Sequence, residues 1–395
     1  MREVVIASAA RLAVGRLGGA LKEAREEDMG SAVVKEAINR AGVSPDCIDE
    51  IIMGQNYRSG QTATNISRVI GIRAGLPLEK PGFTVNMHCS AGLKTVALAA
   101  QAIKAEEADI LVAGGIDNMS NAAYYLPNMR WGAKAGHKIA QDQIVMLDPV
   151  CKLTTGQTAE KLSRMFNISR QEQDEFALWS QQKAEEAIKG GRFIEEIVPL
   201  QVPAGRNKFI TFDTDEHPRF GTTMEMLSKL SPVFADDDKG TVTAGNSSGL
   251  NDSAGATVIM ASDKAKEMGI KPLAKIRSYH AVGVDPSIMG IAPVPATREA
   301  LRKAGLQLDD IELIELNEAF ACVGVYWIRE MKPKNIDIIN VNGGAVALGH
   351  PIAATGTVLL TKLLYEMKRR DLQLGLVTMC VGGGQGMAMI VDRDV

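Results

Sequence analysis

Little in this sequence could hold a structural metal or a disulfide framework. There are five cysteines and five histidines in 395 residues, and aromatic side chains make up only 5% of the chain. Cys47, Cys89, Cys151, Cys322 and Cys380 are odd in number, widely spaced and free of any Cys-x-x-Cys pair, which argues against both disulfides and a zinc site. An excess of one charge is missing too. The 44 Lys and Arg against 47 Asp and Glu leave a net charge of −3, too little to attract nucleic acid or an anionic membrane through a global field. No apolar run approaches the roughly 20 residues needed to cross a bilayer. The opening Arg2-Glu3-Val4-Val5-Ile6 lacks the basic-then-apolar layout of a secretory signal. These absences set the expectation of a cytoplasmic enzyme with no nucleic-acid or membrane partner.

Apolar residues are plentiful at 46%, with 23% charged, so the chain has material for a large core divided among two or three domains. Short apolar runs such as Ile110-Leu111-Val112-Ala113 and Leu376-Val377-Thr378-Met379 run into glycines and are separated by helical stretches, the pattern of an α/β protein with buried strands. Internal similarity sharpens this. Ala41-Gly42-Val43 followed by Ile48-Asp49-Glu50-Ile51 is matched 263 residues later by Ala304-Gly305-Leu306 followed by Ile311-Glu312-Leu313-Ile314. Gly92 and its helix match Gly356 and its helix at an offset of 264, and Leu111-Val112 matches Leu376-Val377 at 265. Three segments in one order and nearly one register imply a duplicated α/β half. The two copies would comprise 1–119 with 250–271, and 272–395. Residues 120–249 have no counterpart and read as an insertion over the site, with an amphipathic stretch at 170–179.

Chemistry is expected where strands end. Cys89 stands between a strand and a helix over 94–104, and a thiol at a helix start has its thiolate favoured by the dipole and free N–H groups. A lone cysteine is more often an inert buried side chain. His88 adjoins it, but alternation along a strand would turn His88 to the other face, so a structural role is expected. His350, in the glycine-rich Asn342-Gly343-Gly344-Ala345-Val346-Ala347-Leu348-Gly349-His350-Pro351, could deprotonate a thiol from another part of the chain or be an ordinary hydrogen-bonded loop histidine. Cys380 ends a strand ahead of Gly382-Gly383-Gly384, whose N–H groups could stabilise an oxyanion or cradle a phosphate. Asn317 could orient a water or a carbonyl, and Glu318 reads as structural.

Cys89-Ser90-Ala91-Gly92-Leu93, Gly114-Gly115-Ile116-Asp117-Asn118-Met119-Ser120, Asn246-Ser247-Ser248-Gly249-Leu250-Asn251-Asp252, Asn317-Glu318-Ala319-Phe320, Gly349-His350-Pro351 and Cys380-Val381-Gly382-Gly383-Gly384 together resemble the thiolase family along essentially the whole chain. The resemblance implies a five-layered α-β-α-β-α fold of two similar halves, with an inserted loop domain that holds much of a coenzyme A. It implies that His350 activates Cys89, that Cys89 carries the acyl group, and that Cys380 moves the proton at the α-carbon. It also implies one oxyanion hole from His350 with a water on Asn317, and another from the N–H groups of Cys89 and Gly382. Arg219 would sit near the nucleotide end of coenzyme A, Ser248 near its pantetheine arm, and Met289 in the acyl pocket. No tightly bound cofactor is implied, only coenzyme A and acyl-CoA as substrates, and the family suggests a homodimer or homotetramer.

Some positions depart from the family pattern. Ala353 stands for a common glycine, Asp117 for a frequent glutamate, and Ala91 for a common serine. Thr154-Thr155 stands where many short-chain members carry histidine and methionine, so acyl preference is the property most exposed to change. Two competing readings are a decarboxylating ketosynthase, against which Cys380 argues because those enzymes usually carry histidine there, and a thiolase-like acyl-CoA or lipid carrier without catalysis.

Overall fold

The computed structural model describes residues 2–59, 65–145, 147–205, 208–235 and 237–395. Its centre is a mixed sheet built from β1 (Val4–Arg11), β2 (Glu50–Gln55), β3 (Gly82–Val85), β4 (Ile110–Asn118), β5 (Asn251–Ala261), β6 (Ala274–Gly283), β7 (Leu313–Leu316), β8 (Leu374–Val381) and β9 (Gln385–Asp392). In space they run β3-β2-β4-β5-β1-β6-β9-β8-β7. The first five form one unit, with β2 parallel to β3 and β4, and with β5 antiparallel to β4 and β1. The remaining four repeat that order: β7 is parallel to β8, and β9 is antiparallel to β8 and β6. A single parallel bridge, Ile314 to Ile339, takes the place that β3 occupies beside β2. The two units join where β1 and β6 pair through Val5 with Lys275 and Ile6 with Ala274.

The sequence repeat is this structural repeat. Ala41 and Ala304 each end a helix, Glu26–Ala41 and Pro293–Ala304, and the following Gly42 and Gly305 adopt φ of 69° and 70°. Only glycine takes that left-handed conformation without cost, which is why the Ala-Gly pair marks the same helix stop twice.

Strand alternation then sets the layers. On β4, Leu111 and Ala113 share a core with Val377, Met379 and Val381 of β8, and both sets pack on the helices Ala91–Lys104 and Thr355–Arg370 between the two halves. The alternate residues face outward. Ile110 and Val112 meet the helix Glu26–Ala41, while Leu376 and Cys380 meet the helix Pro293–Ala304. The result is the expected succession of helix, sheet, central helices, sheet and helix.

The two central helices approach at their glycines. A Cβ on Gly356 would lie 2.4 Å from the Leu93 nitrogen, and one on Gly92 would lie 2.4 Å from Thr357 Oγ1 and 2.7 Å from the Ala353 carbonyl. Gly356→Ala should therefore destabilise the fold by about 1–3 kcal/mol although alanine favours helices. Urea unfolding would show it, and an unchanged midpoint would mean that the helices can part.

Between β4 and β5 the chain leaves the sheet. Its main elements are the helices Thr155–Met165 and Arg170–Lys189, each opened by a capping box, from Thr154 with Gln157 and from Ser169 with Glu172. The fully buried Arg11 guanidinium anchors this excursion to the first half. It donates to Glu196 Oε1 at 2.8 Å and to Asp215 Oδ1 at 2.8 Å.

Candidate active site

Cys89 sits where the first half hands a strand over to a central helix. β3 stops at Val85, and a single 3-10 turn, His88–Ser90, leads into the helix, which begins at Ala91 rather than Lys94. His88 is not in a strand. It takes a φ of 44°, and its Nδ1 shares a 2.8 Å hydrogen bond with Asn56 Oδ1, so the turn and not strand alternation commits its ring elsewhere.

Burial pushes the Cys89 thiol up to about 11, while N–H groups of Gly382 and of Cys89 itself favour the thiolate. Burial wins, and the resting group is a thiol instead of the thiolate expected from the helix start. Gly382 reaches the sulfur from the second half, just after β8, where Gly383 and Gly384 turn the chain with φ of 81° and 74°.

His350 also comes from the second half. Its N–H donates to Asn251 Oδ1 at 2.9 Å, and its Nδ1 shares a 2.6 Å hydrogen bond with the Thr355 hydroxyl. Nε2 is buried with no partner. Burial lowers the imidazole to about 4, so it is neutral near pH 7 and Nε2 can act as a base when Nδ1 carries the proton.

Asp117, at the end of β4, fastens these loops together. Its Oδ1 accepts from the Asn56 and Tyr57 N–H groups, both at 2.9 Å, and its Oδ2 accepts from the Ala353 N–H at 2.6 Å. The carboxyl is nevertheless raised to about 7 by burial. Ala353 is itself fully buried, three residues from His350, with its carbonyl packed against Gly92 and Gly115.

Asn317 is fully buried at the end of β7, and both atoms of its carboxamide lack partners. Glu318 is different. It accepts from the Ser180 hydroxyl at 2.7 Å, Asn340 Nδ2 at 2.6 Å and the Val346 N–H at 3.1 Å, the structural role expected of it. Cys380 is fully buried at the end of β8, its thiol pushed well above the usual range by burial and then by the charge of Cys89.

A cavity of about 490 Å³ opens onto Cys89 and His350. Ser248, Met289, Thr154 and Thr155 line it. Phe234 and Phe320, stacked edge to face with centroids 6.0 Å apart, form part of its wall. Thr154 doubles as the cap of its helix, its hydroxyl accepting from the Gln157 N–H at 3.3 Å. Arg219 is not in this cavity. It is exposed and lines a separate cleft of about 120 Å³ with His217, Leu227, Leu230 and Gly245.

The family model for the thiolase N-terminal domain matches residues 4–263, and that for the thiolase C-terminal domain matches 270–393. The chain belongs to the thiolase family. An acetyl-CoA acetyltransferase of Syntrophomonas wolfei is 47% identical over 99% of both chains, and one of Cupriavidus necator is 47% identical over the full length of both. The crystal structure of the Bacillus anthracis acetyl-CoA acetyltransferase superposes with a TM-score of 0.96 at 41% identity, covering 99% of each chain. That of human mitochondrial 3-ketoacyl-CoA thiolase in complex with CoA does so at 0.95 and 40%, covering 100% of this chain and 98% of that one.

Several groups of this thiolase site were not singled out from the sequence. Thr355, five residues after His350, could have been noticed as the partner that fixes the ring. Tyr57, Ile144 and Val145 line the cavity with no motif to mark them. The bridging role of Asp117 depends on two loops 60 and 236 residues away in sequence.

Proposed function

We propose that this thiolase is an acetyl-CoA C-acyltransferase that cleaves and forms short 3-oxoacyl-CoA through a Cys89 acyl-enzyme. The observation that carries this reading is the unpaired His350 Nε2 in the same cavity as a Cys89 thiol that receives the Gly382 N–H. Its full-length relatives named acetyl-CoA acetyltransferase support it.

In thiolysis, His350 takes the Cys89 proton and the thiolate attacks the 3-oxo carbon. The N–H groups of Cys89 and Gly382 receive the developing oxyanion. The bond between the second and third carbons then breaks, and Cys380 protonates the departing acetyl-CoA carbanion. Coenzyme A gives its thiol proton to Cys380 and takes the acyl group from Cys89, which regains its proton from His350. Condensation runs the same steps in reverse. The buried Asn317 carboxamide suits a bound water that, with His350, would hold the thioester oxygen of the acetyl unit.

Coenzyme A would enter past Ser248, with its acyl end beside Met289 and its nucleotide toward the Arg219 cleft. The segment 120–249 would act as the inserted loop domain between halves 1–119 with 250–271 and 272–395. No helix among the described residues is long and apolar enough to cross a membrane, and the reading is completed by a cytoplasmic location. A homodimer or homotetramer is supported by exposed apolar side chains at Tyr124, Leu126 and Trp131. Sedimentation velocity tests it, and a monomer at micromolar concentration would contradict it.

Incubation with acetoacetyl-CoA and free coenzyme A should consume the 3-oxoacyl thioester and yield two acetyl-CoA. A chain-length series should show the highest kcat/KM for short chains. Inactivity of the folded protein across the whole series would reject the proposal.

A further inference from the structure

Among the polar groups of the cavity that the acyl-enzyme mechanism leaves unused, the Tyr57 hydroxyl is the one buried without a partner. Tyr57 follows β2, its N–H held by Asp117, and its side chain packs in the same core cluster as Cys89 and lines the cavity. The residue is only 3% exposed, and its hydroxyl is buried with no hydrogen-bond partner. The Asn56 carboxamide is near enough to favour the ionised phenol, yet the hydroxyl has no hydrogen-bond partner, and Asn56 Oδ1 is engaged by His88 Nδ1 at 2.8 Å. Proximity to Cys89 is also felt electrostatically, since ionisation of Cys89 disfavours that of the phenol.

A buried phenol that keeps its proton is a fixed donor, and leaving it unpaired is costly. An alkyl chain entering the cavity could not pair it. Among the described lining residues there is no Lys, Arg, Asp or Glu, so a carboxylate on the acyl chain would also be left without a counter-charge. A neutral acceptor oxygen meets both conditions. Thr155, from the departure noted at Thr154-Thr155, adds a hydroxyl to the same wall.

We infer that Tyr57 is a specificity-determining residue that donates a hydrogen bond to an uncharged oxygen on the acyl chain, so that the site favours 3-oxoacyl-CoA substrates carrying an ether, hydroxyl or carbonyl beyond the reacting carbons. This rests on the thiolase reading of the cavity and narrows it to a substrate class.

The probes are 3-oxooctanoyl-CoA, isosteres in which one methylene beyond the fourth carbon is replaced by an ether oxygen, and a counterpart ending in a carboxylate. Thiolysis is followed with free coenzyme A. For the wild type, at least one ether isostere should exceed 3-oxooctanoyl-CoA in kcat/KM by about tenfold, the effect of one well-placed hydrogen bond. The carboxylate should be the poorest substrate. In Tyr57→Phe the ratio of ether to alkyl kcat/KM should fall about tenfold, the ratio cancelling any general loss. If no ether isostere outperforms the alkyl chain in the wild type, if the carboxylate is preferred, or if Tyr57→Phe keeps the ratio, the inference is overturned. The wild-type comparison decides alone if the variant fails to fold. Thiolysis of the alkyl substrate without an ether preference overturns this inference and leaves the acyltransferase reading standing. Failure to thiolyse any of the substrates overturns both.

Discussion

Cys89→Ala is expected to lower thiolysis by about 10⁴-fold or more and to remove acyl-enzyme altogether, because no other group in the cavity can replace the nucleophile. Cys380→Ala should behave differently. With acetyl-CoA as the donor, acylation of Cys89 should persist because coenzyme A can leave as its thiolate, while thiolysis of a 3-oxoacyl-CoA falls about 10²–10⁴-fold for want of a proton donor to the departing carbanion. This dissociation follows from where the two thiols lie. Both are buried and held in the neutral form, Cys89 at about 11 and Cys380 higher. Of the two, Cys89 lines the cavity with His350, and the Gly382 N–H of the second half favours its thiolate. Quenched-flow rates with mass analysis of the protein would separate the two effects. If both substitutions abolished acylation equally, the assignment of separate roles would be wrong.

His350→Ala should cost about 10²–10⁴-fold in kcat/KM, the usual contribution of a positioned base. The wild-type pH profile should carry the mark of the same residue. Because burial lowers His350 to about 4, the base stays unprotonated through the neutral range, and activity should fall on the acid side near pH 4 to 5 instead of near 6.5. The sign for stability is the same. Between about 4 and 6.5 the unfolded chain binds a proton that the folded protein does not, so the contribution of His350 is complete above 6.5 and is lost as pH falls toward 4. At pH 5 the wild type should have lost about 2 kcal/mol that His350→Ala does not lose, readable by urea unfolding at pH 7 and pH 5. An acid limb near 6.5 in the wild type would mean that the imidazole is solvated during turnover.

The repeat was legible because it is carried by local rules that leave residues behind. A helix stop needs a left-handed glycine, so Gly42 and Gly305 recur, and close helix contact needs missing side chains, so Gly92 and Gly356 recur. Cys89 and His350 were legible as a candidate nucleophile and base for a similar reason, since each stands beside small residues at the end of an element. What could not be read was energetic balance. A helix start favours a thiolate, but full burial at Cys89 outweighs it, and burial depends on packing from both halves. Long-range placement was also hidden. Asp117 reads as one polar residue at a strand end, yet it joins the Tyr57 loop to the His350 loop. Tyr57 carries no motif, and its significance rests on a hydroxyl that the fold leaves without a partner.

The central claim is that acyl groups pass through the Cys89 sulfur. Incubation with acetyl-CoA, acid quench and peptide mapping by mass spectrometry tests it directly. One acetyl group should appear on Cys89 and disappear on addition of coenzyme A; turnover with no acyl group on Cys89, or with the group on another side chain, would contradict the account.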